Sequence, residues 1–350
     1  MDHMAKRFGK IIRGIAYIGI VAGFIGIIMI TFFLTKGLKD LIFVKDAPAV
    51  VSPIIPGVQV GGILLPFWIG IASIFVVVVV HEFAHGVVAR AHKLKIKSSG
   101  FGMFAIFPIA FVEPDEKELK KQKDVVQHSV FAAGPWANVI LAVLALLIVS
   151  FVMSPVYGLI TQPIEPKGVS LINVTSDLPA EKAGLGPGHL ITAIDNHTVE
   201  DYSSFLEGLK DVKPNQTIEI MANGTVFTLV TASHPTNPEK GYLGVFPNPG
   251  PRVELIHNTI IYRSLQSVIV WFTRLLTWIF ILSLGIGLIN LFPIFITDGA
   301  RMLQIFTASV FKKEKKSASI WTKINAACLV ILIMNMLIPF VRWLGEIIIK

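Results

Sequence analysis

Charge is scarce in this sequence: only 15% of its 350 residues are Asp, Glu, Lys or Arg, while 53% are hydrophobic. That excludes an ordinary soluble domain, in which about a quarter of residues carry charge. Cysteine is scarcer still. The lone Cys328 has no intrachain partner, so no disulfide framework holds the fold, and a metal centre must draw on histidine and carboxylate. Cys328 itself lies in an apolar run and reads as a small core residue. A cleavable leader is not expected either. The first apolar run, 11–34, is too long for a signal-peptide core and lacks a small-residue cleavage site, so it reads as a first span. Acidic residues are outnumbered 23 to 31 by Lys and Arg, for a formal net charge of +8. The excess sits beside apolar runs, as in cytosolic loops of membrane proteins, and calls for no nucleic acid partner.

What the chain has in abundance is apolar sequence of spanning length. A helix needs about 20 such residues to cross a bilayer. Spans are expected at 11–34, 64–89, 129–153, 275–311 and 324–345, the fourth interrupted near 290–299. Between the third and fourth the composition changes. Residues 165–250 carry Asn, Asp, Gly and Pro turn signals, short β-branched runs and one amphipathic stretch, which mark a soluble insert. The chain thus divides into an N-terminal membrane region (1–160), the insert (165–250) and a C-terminal membrane region (251–350). Within the last, Arg263 and Arg274 suggest an interfacial amphipathic helix over 251–274.

Basic clusters orient the chain. Lys6, Arg7, Lys10 and Arg13 precede the first span; Arg90, Lys93, Lys95 and Lys97 follow the second. Lys117, Lys120, Lys121 and Lys123 precede the third, and Lys312, Lys313, Lys315 and Lys316 the last. All four fall on one side if the N-terminus is cytosolic, and the insert then lies outside the cytosol. Lys36, Lys39 and Lys45 run against this bias. Residues 100–112 are apolar but too short to span, and Gly100, Gly102 and Pro108 argue against a helix. A hairpin-like segment dipping into the membrane against protein fits them, since non-helical backbone is tolerated at that depth only under such cover.

His81-Glu82-Phe83-Ala84-His85 places two imidazoles one turn apart on one helix face, able to share a tetrahedral metal. Glu82 lies beside that face and can take a proton from metal-bound water. Ionisable groups in an apolar span call for a functional reason. A catalytic zinc takes three protein ligands and leaves a position for water, so a third donor at the same depth is needed. Asp298 is the best candidate. His81 precedes Lys93 by 12 residues and Asp298 precedes Lys312 by 14, so both lie roughly 15–20 Å from the flanking charges at helical rise. Asn290, Pro293 and Gly299 break the helix around it. The alternative is that Asp298 only caps a helix running from Gly299 onward, and one residue can both cap and ligate. His92, among lysines, reads as a solvated flank residue and His128 as interfacial. Asn138, a polar group inside the third span, fits either a hydrogen bond between helices or a contact to substrate backbone.

At this point the sequence resembles the site-2 protease family of intramembrane zinc metalloproteases, of the PDZ-containing prokaryotic type. Three motifs carry the resemblance: His81 through His85; Gly134-Pro135-Trp136-Ala137-Asn138, similar to the family's G-P-x-x-N; and Asn290 through Gly299, similar to N-x-x-P-x-P-x-x-D-G. Phe295 stands where the family often has its second proline. The resemblance implies one Zn2+ per chain held by His81, His85 and Asp298, Glu82 as general base, and Asn138 and Asn290 as positioning groups for an unwound substrate. Segment 100–112 corresponds to the family's membrane-embedded β-loop, which presents substrate as an extended strand.

The insert resembles a PDZ domain. Leu178 through Asp195 is similar to the family's S-P-A-x-x-A-G-L-x-x-G-D-x-I-x-x-I-N, with His189 in place of the usual Asp. Gly241, Tyr242, Leu243 and Gly244 look like the loop that offers backbone N–H groups to a peptide C-terminus. The expected fold is therefore a polytopic α-helical membrane protein of about five spans, one broken, with a membrane-embedded β-loop and an inserted PDZ-like mixed α/β domain. The expected setting is the cell membrane, with single-span membrane proteins as substrates and the lipid bilayer around the helices. Two other readings use the same residues. A metal transporter would often show paired internal repeats, and none is found; a PDZ-bearing scaffold would leave the site inactive.

Overall fold

A computed structural model describes residues 1–44, 47, 49–51, 54–60, 63–104, 107–164, 167–234, 237–250 and 252–349. The chain divides into two compact units, Met1–Ser154 with Ile269–Lys350, and Pro155–Val268. Lys45 and the first residues of the expected insert, 165 and 166, lie outside the described residues.

The first unit is helical. Its elements are α1 (Asp2–Phe43), α2 (Phe67–Ala91), the short α3 (Glu116–Lys120) and α4 (Asp124–Ile148). A π-helical turn (Val149–Met153) and α5 (Ser154–Gly158) extend α4. Later in the chain come α8 (Ile260–Leu291), whose first turns belong to the second unit, α9 (Asp298–Val310) and α10 (Glu314–Ile349). Among the described residues five helices are long and apolar enough to cross a membrane: Asp2–Phe43, Phe67–Ala91, Asp124–Ile160, Ile260–Leu291 and Glu314–Arg342. With a helical backbone satisfying its own hydrogen bonds, such a chain forms a multi-pass integral membrane protein. An interfacial helix is expected over 251–274, before the fourth span; in the structure Val253–Leu255 is a strand, and 260–274 are the opening turns of α8, where nothing breaks the ladder. Polar groups tie distant helices together: Asn335 Nδ2 donates to the Leu34 carbonyl at 3.0 Å, and an Arg342 guanidinium nitrogen to the Leu41 carbonyl at 2.6 Å.

Helix α2 ends sharply. Leu94 N–H reaches back to the Ala89 carbonyl and Lys93 N–H to the Arg90 carbonyl, each at 2.9 Å, with Lys93 left-handed at φ 65°. This Schellman closure satisfies the last carbonyls and turns the chain directly into a hairpin. Its strands, β3 (Ile96–Phe104) and β4 (Phe107–Pro114), pair antiparallel from Ile96 with Pro114 to Phe104 with Phe107. Residues 105 and 106, part of the expected dipping segment, lie outside the described residues. A smaller hairpin, β1 (Gln59–Val60) and β2 (Ile63–Leu64), precedes α2.

The second unit is built on an antiparallel sheet. In chain order its strands are β5 (Thr161–Pro163), β6 (Val169–Val174), β7 (Leu190–Ile194), β8 (His197–Thr198), β9 (Thr217–Ala222), β10 (Thr225–Val230), β11 (Ala232–His234), β12 (Asn237–Tyr242), β13 (Val245–Pro247) and β14 (Val253–Leu255). The main sheet runs β10-β9-β7-β6-β13, with β8 on β7; β11 pairs β12 and β14 pairs β5. Strict alternation in β9 sends Ile218, Ile220 and Ala222 inward. They meet Phe205 from α7 (Tyr202–Gly208) and Ala180 from α6 (Pro179–Lys182) in one core with Leu243.

Candidate active site

Two imidazoles and a carboxylate meet at the centre of the helical unit. His81 Nε2 lies 3.1 Å from Asp298 Oδ2, His85 Nε2 lies 3.4 Å from the same oxygen, and the two Nε2 atoms are 3.2 Å apart. His81 and His85 are 6% and 9% exposed. The i, i+4 spacing on α2 puts both rings on one face; α9 brings Asp298 to them from 217 positions along the chain.

Local chemistry explains how Asp298 comes to be available. Helix α8 stops at Leu291, and Thr297 caps α9: its hydroxyl accepts from Ala300 N–H at 3.3 Å and donates to the Phe292 carbonyl at 2.7 Å. The capping role considered for Asp298 is therefore filled by its neighbour, and the Asp298 carboxylate faces the imidazoles. Gly299 permits the approach. A β-carbon at that position would strike the Leu291 carbonyl carbon and oxygen, so the last residue of α8 and the first turn of α9 touch backbone to backbone.

The triangle fits a metal. Four donors arranged tetrahedrally at zinc–nitrogen distances of about 2.0–2.1 Å stand about 3.3–3.4 Å from one another, and the three observed edges are 3.1, 3.2 and 3.4 Å. Two imidazoles with one carboxylate form a donor set that catalytic zinc uses. His85 is fixed in the tautomer a ligand needs: its Nδ1 donates to the Val130 carbonyl at 2.7 Å, which leaves the Nε2 lone pair toward the centre. Space is reserved as well. A β-carbon on Gly134 would collide with Nε2 of both histidines, so the glycine keeps open the ground in front of the donor atoms. That is a physical reason for the glycine of the Gly134–Asn138 motif, and sequence reading had assigned it none.

A cavity of about 490 Å³ opens onto the triangle and is lined also by Glu82, Phe111, Val112 and Asn290. Glu82 Oε2 accepts from Val112 N–H of β4 at 3.2 Å, which fixes the carboxylate at the cavity wall. Asn290 reaches the same cavity. Asn138 does not line it: its side-chain amide is fully buried, 3.1 Å from His81 Nδ1. His92 meets Ser129 Oγ at 3.1 Å and His128 packs edge-on against Phe24; neither belongs to the triangle. In the second unit, Gly241 N–H donates to the Val212 carbonyl at 2.8 Å, Leu243 is buried in the core, and the carbonyls of Leu243 and Gly244 accept from Ala180 at 3.0 Å and Thr175 at 2.7 Å. Tyr242 ends β12 opposite Ala232.

These features define a class: a multi-pass helical membrane protein with two buried histidines, a partly buried aspartate and a neighbouring glutamate in one cavity. The particular family follows from comparison. Residues 69–332 match the sequence model of Peptidase family M50, and the chain belongs to that metallopeptidase family, the site-2 protease family that the three motifs resemble. Over 265 residues it is 27% identical to an uncharacterized protein of Methanocaldococcus jannaschii, covering 75% of this chain and 63% of the relative. Over 208 residues it is 24% identical to a membrane-bound transcription factor site-2 protease homolog of Arabidopsis thaliana, covering 58% of this chain and 39% of that protein. The chain thus spans less than two thirds of the length of either relative.

Proposed function

We propose that this chain is an intramembrane zinc metalloprotease that hydrolyses peptide bonds within the transmembrane segments of single-span membrane proteins. The observation that carries this reading is the triangle of His81, His85 and Asp298 donor atoms, with edges of 3.1 to 3.4 Å, opening onto a cavity that Glu82 shares. Zinc bound there supplies Lewis acidity and a water acidified to a pKa of about 7. Glu82 accepts the proton of the attacking water as it adds to the scissile carbonyl, then passes that proton to the departing nitrogen. The Val112 N–H aims the Glu82 carboxylate into the cavity. A helical substrate resists attack because its carbonyls are hydrogen-bonded, so it must unwind before it enters. Strand β4 beside the cavity suits an unwound segment added edge to edge, and the Asn290 amide suits its backbone.

The insert at 165–250 acts in this reading as a PDZ-like screen outside the cytosol. Its motif resemblance and the side on which the Lys and Arg clusters fall support this, with the N-terminus cytosolic and the protein in the cell membrane. Gly241 through Gly244 would meet a peptide C-terminus.

The test uses the detergent-solubilised full chain and a panel of single-span substrates. Wild type cleaves within the span, a chelator stops it and added zinc restores it. Glu82→Gln keeps its metal yet cleaves slower by about 10²–10⁴-fold. Undiminished cleavage by that variant, or metal transport without cleavage, overturns the proposal.

A further inference from the structure

A neutral imidazole has one N–H and one lone pair, so a histidine that binds metal through Nε2 carries its proton on Nδ1 and needs an acceptor there. His85 has one, the Val130 carbonyl on α4 at 2.7 Å. Among the described residues, His81 Nδ1 has as its hydrogen-bond partner the side-chain amide of Asn138, also on α4, at 3.1 Å. That amide is fully buried, with Nδ2 toward the ring and Oδ1 without a partner. The orientation is self-defeating. An Nδ2 donor forces the His81 proton onto Nε2, where it would occupy the face shared with His85 and Asp298. The two ends of an amide have nearly the same shape, and a half-turn about its last bond exchanges them. After that turn Oδ1 accepts from His81 Nδ1–H, and both imidazoles present lone pairs to the same point.

We infer that Asn138 is a positioning residue for the metal centre: its side-chain oxygen fixes the tautomer and ring plane of His81, and it does not bind substrate. The inference rests on the proposed zinc site and assigns Asn138 a different task from the substrate contact implied by family resemblance. Helix α4 then carries both outer acceptors, Val130 for His85 and Asn138 for His81, spaced eight residues apart. Gly134 stands midway and clears the space between them.

Zinc affinity, measured by competition with a chromophoric chelator on the purified full chain, tests this without any substrate. Asn138→Leu, close in shape but without an acceptor, weakens zinc binding by about 10–100-fold. Asn138→Asp, which can only accept when ionised, binds zinc at least as tightly as wild type. Equal affinity in wild type and a folded Asn138→Leu overturns the inference and leaves the proposed function standing. So does a tenfold loss in a folded Asn138→Asp, which decides the matter even where the leucine variant does not fold. If wild type itself binds no zinc, the proposed function falls and this inference with it. A rise in KM with unchanged zinc affinity in Asn138→Leu would return the residue to substrate binding.

Discussion

The Thr297 hydroxyl, and not the Asp298 carboxylate, receives the Ala300 N–H at the start of α9. The cap and the carboxylate that faces the two imidazoles are adjacent residues. Thr297→Val removes the hydroxyl, leaving the Ala300 N–H without its acceptor and the Phe292 carbonyl with the Ile294 N–H alone. It is expected to destabilise the fold by about 1–2 kcal/mol and to weaken zinc binding as Asp298 turns to replace the lost cap. Thr297→Ser retains both properties. Denaturant unfolding in detergent and chelator competition measure the two effects; a valine variant matching wild type in both refutes the account.

Gly134→Ala places a methyl group against both ligand imidazoles. Zinc content per chain, measured on purified protein, is expected to fall well below one while the helices persist by circular dichroism. Full zinc occupancy in the alanine variant would show that the centre can shift to avoid the methyl group.

Gly299→Ala acts from the other side of the site, since its methyl group meets the backbone of Leu291. The start of α9 must move, carrying Asp298 with it. Expected outcomes are lower zinc affinity and lower thermal stability together. Zinc loss without destabilisation would contradict a backbone clash as the cause.

In the second unit, Ser204 N–H donates to Asp201 Oδ1 at 2.8 Å and closes a capping box on α7. That hydrogen bond holds the Asp201 carboxyl below its ordinary range. A lowered folded-state pKa means the unfolded chain takes up the proton first as pH falls. The cap's contribution is therefore complete above the ordinary carboxylate value and disappears as pH drops through the lower folded value. Amide protection across Tyr202–Gly208, corrected for intrinsic exchange, is expected to decline on acidification. Asp201→Asn keeps a capping oxygen and should flatten that decline.

Under the proposed screening role, deletion of 165–250 releases cleavage of substrates that still carry bulky outer domains. Comparing trimmed and untrimmed versions of one substrate measures it; unchanged selectivity after deletion argues against the screen.

The convergence of His81, His85 and Asp298 was legible because spacing and distance from flanking charges are sequence properties. The four-residue step from His81 to His85 fixes one helix face, and the like distances of His81 and Asp298 from Lys93 and Lys312 match two levels in a bilayer. The Thr297 cap was not legible, since aspartate is the better N-cap on paper and only the turn after Pro293 gives that place to the threonine. The spacer role of Gly134 was hidden for a related reason: a missing methyl group has meaning only beside a neighbour from another helix. The Val112 contact to Glu82 depends on where an edge strand lies, and alternation along β4 does not encode that. The run 251–274 does not form one interfacial helix: Val253–Leu255 is strand β14, and α8 runs unbroken from Ile260 past both arginines, with Arg263 in its first turn and Arg274 midway.

The 217 positions between His81 and Asp298 also set an order of events during synthesis. A growing chain that has completed α2 already carries the histidine pair, and one that has completed the second unit still lacks the acid. Only when α9 emerges and packs does the donor set close. Under the proposed function, a chain still being made therefore lacks the third donor of its hydrolytic centre while its earlier helices insert.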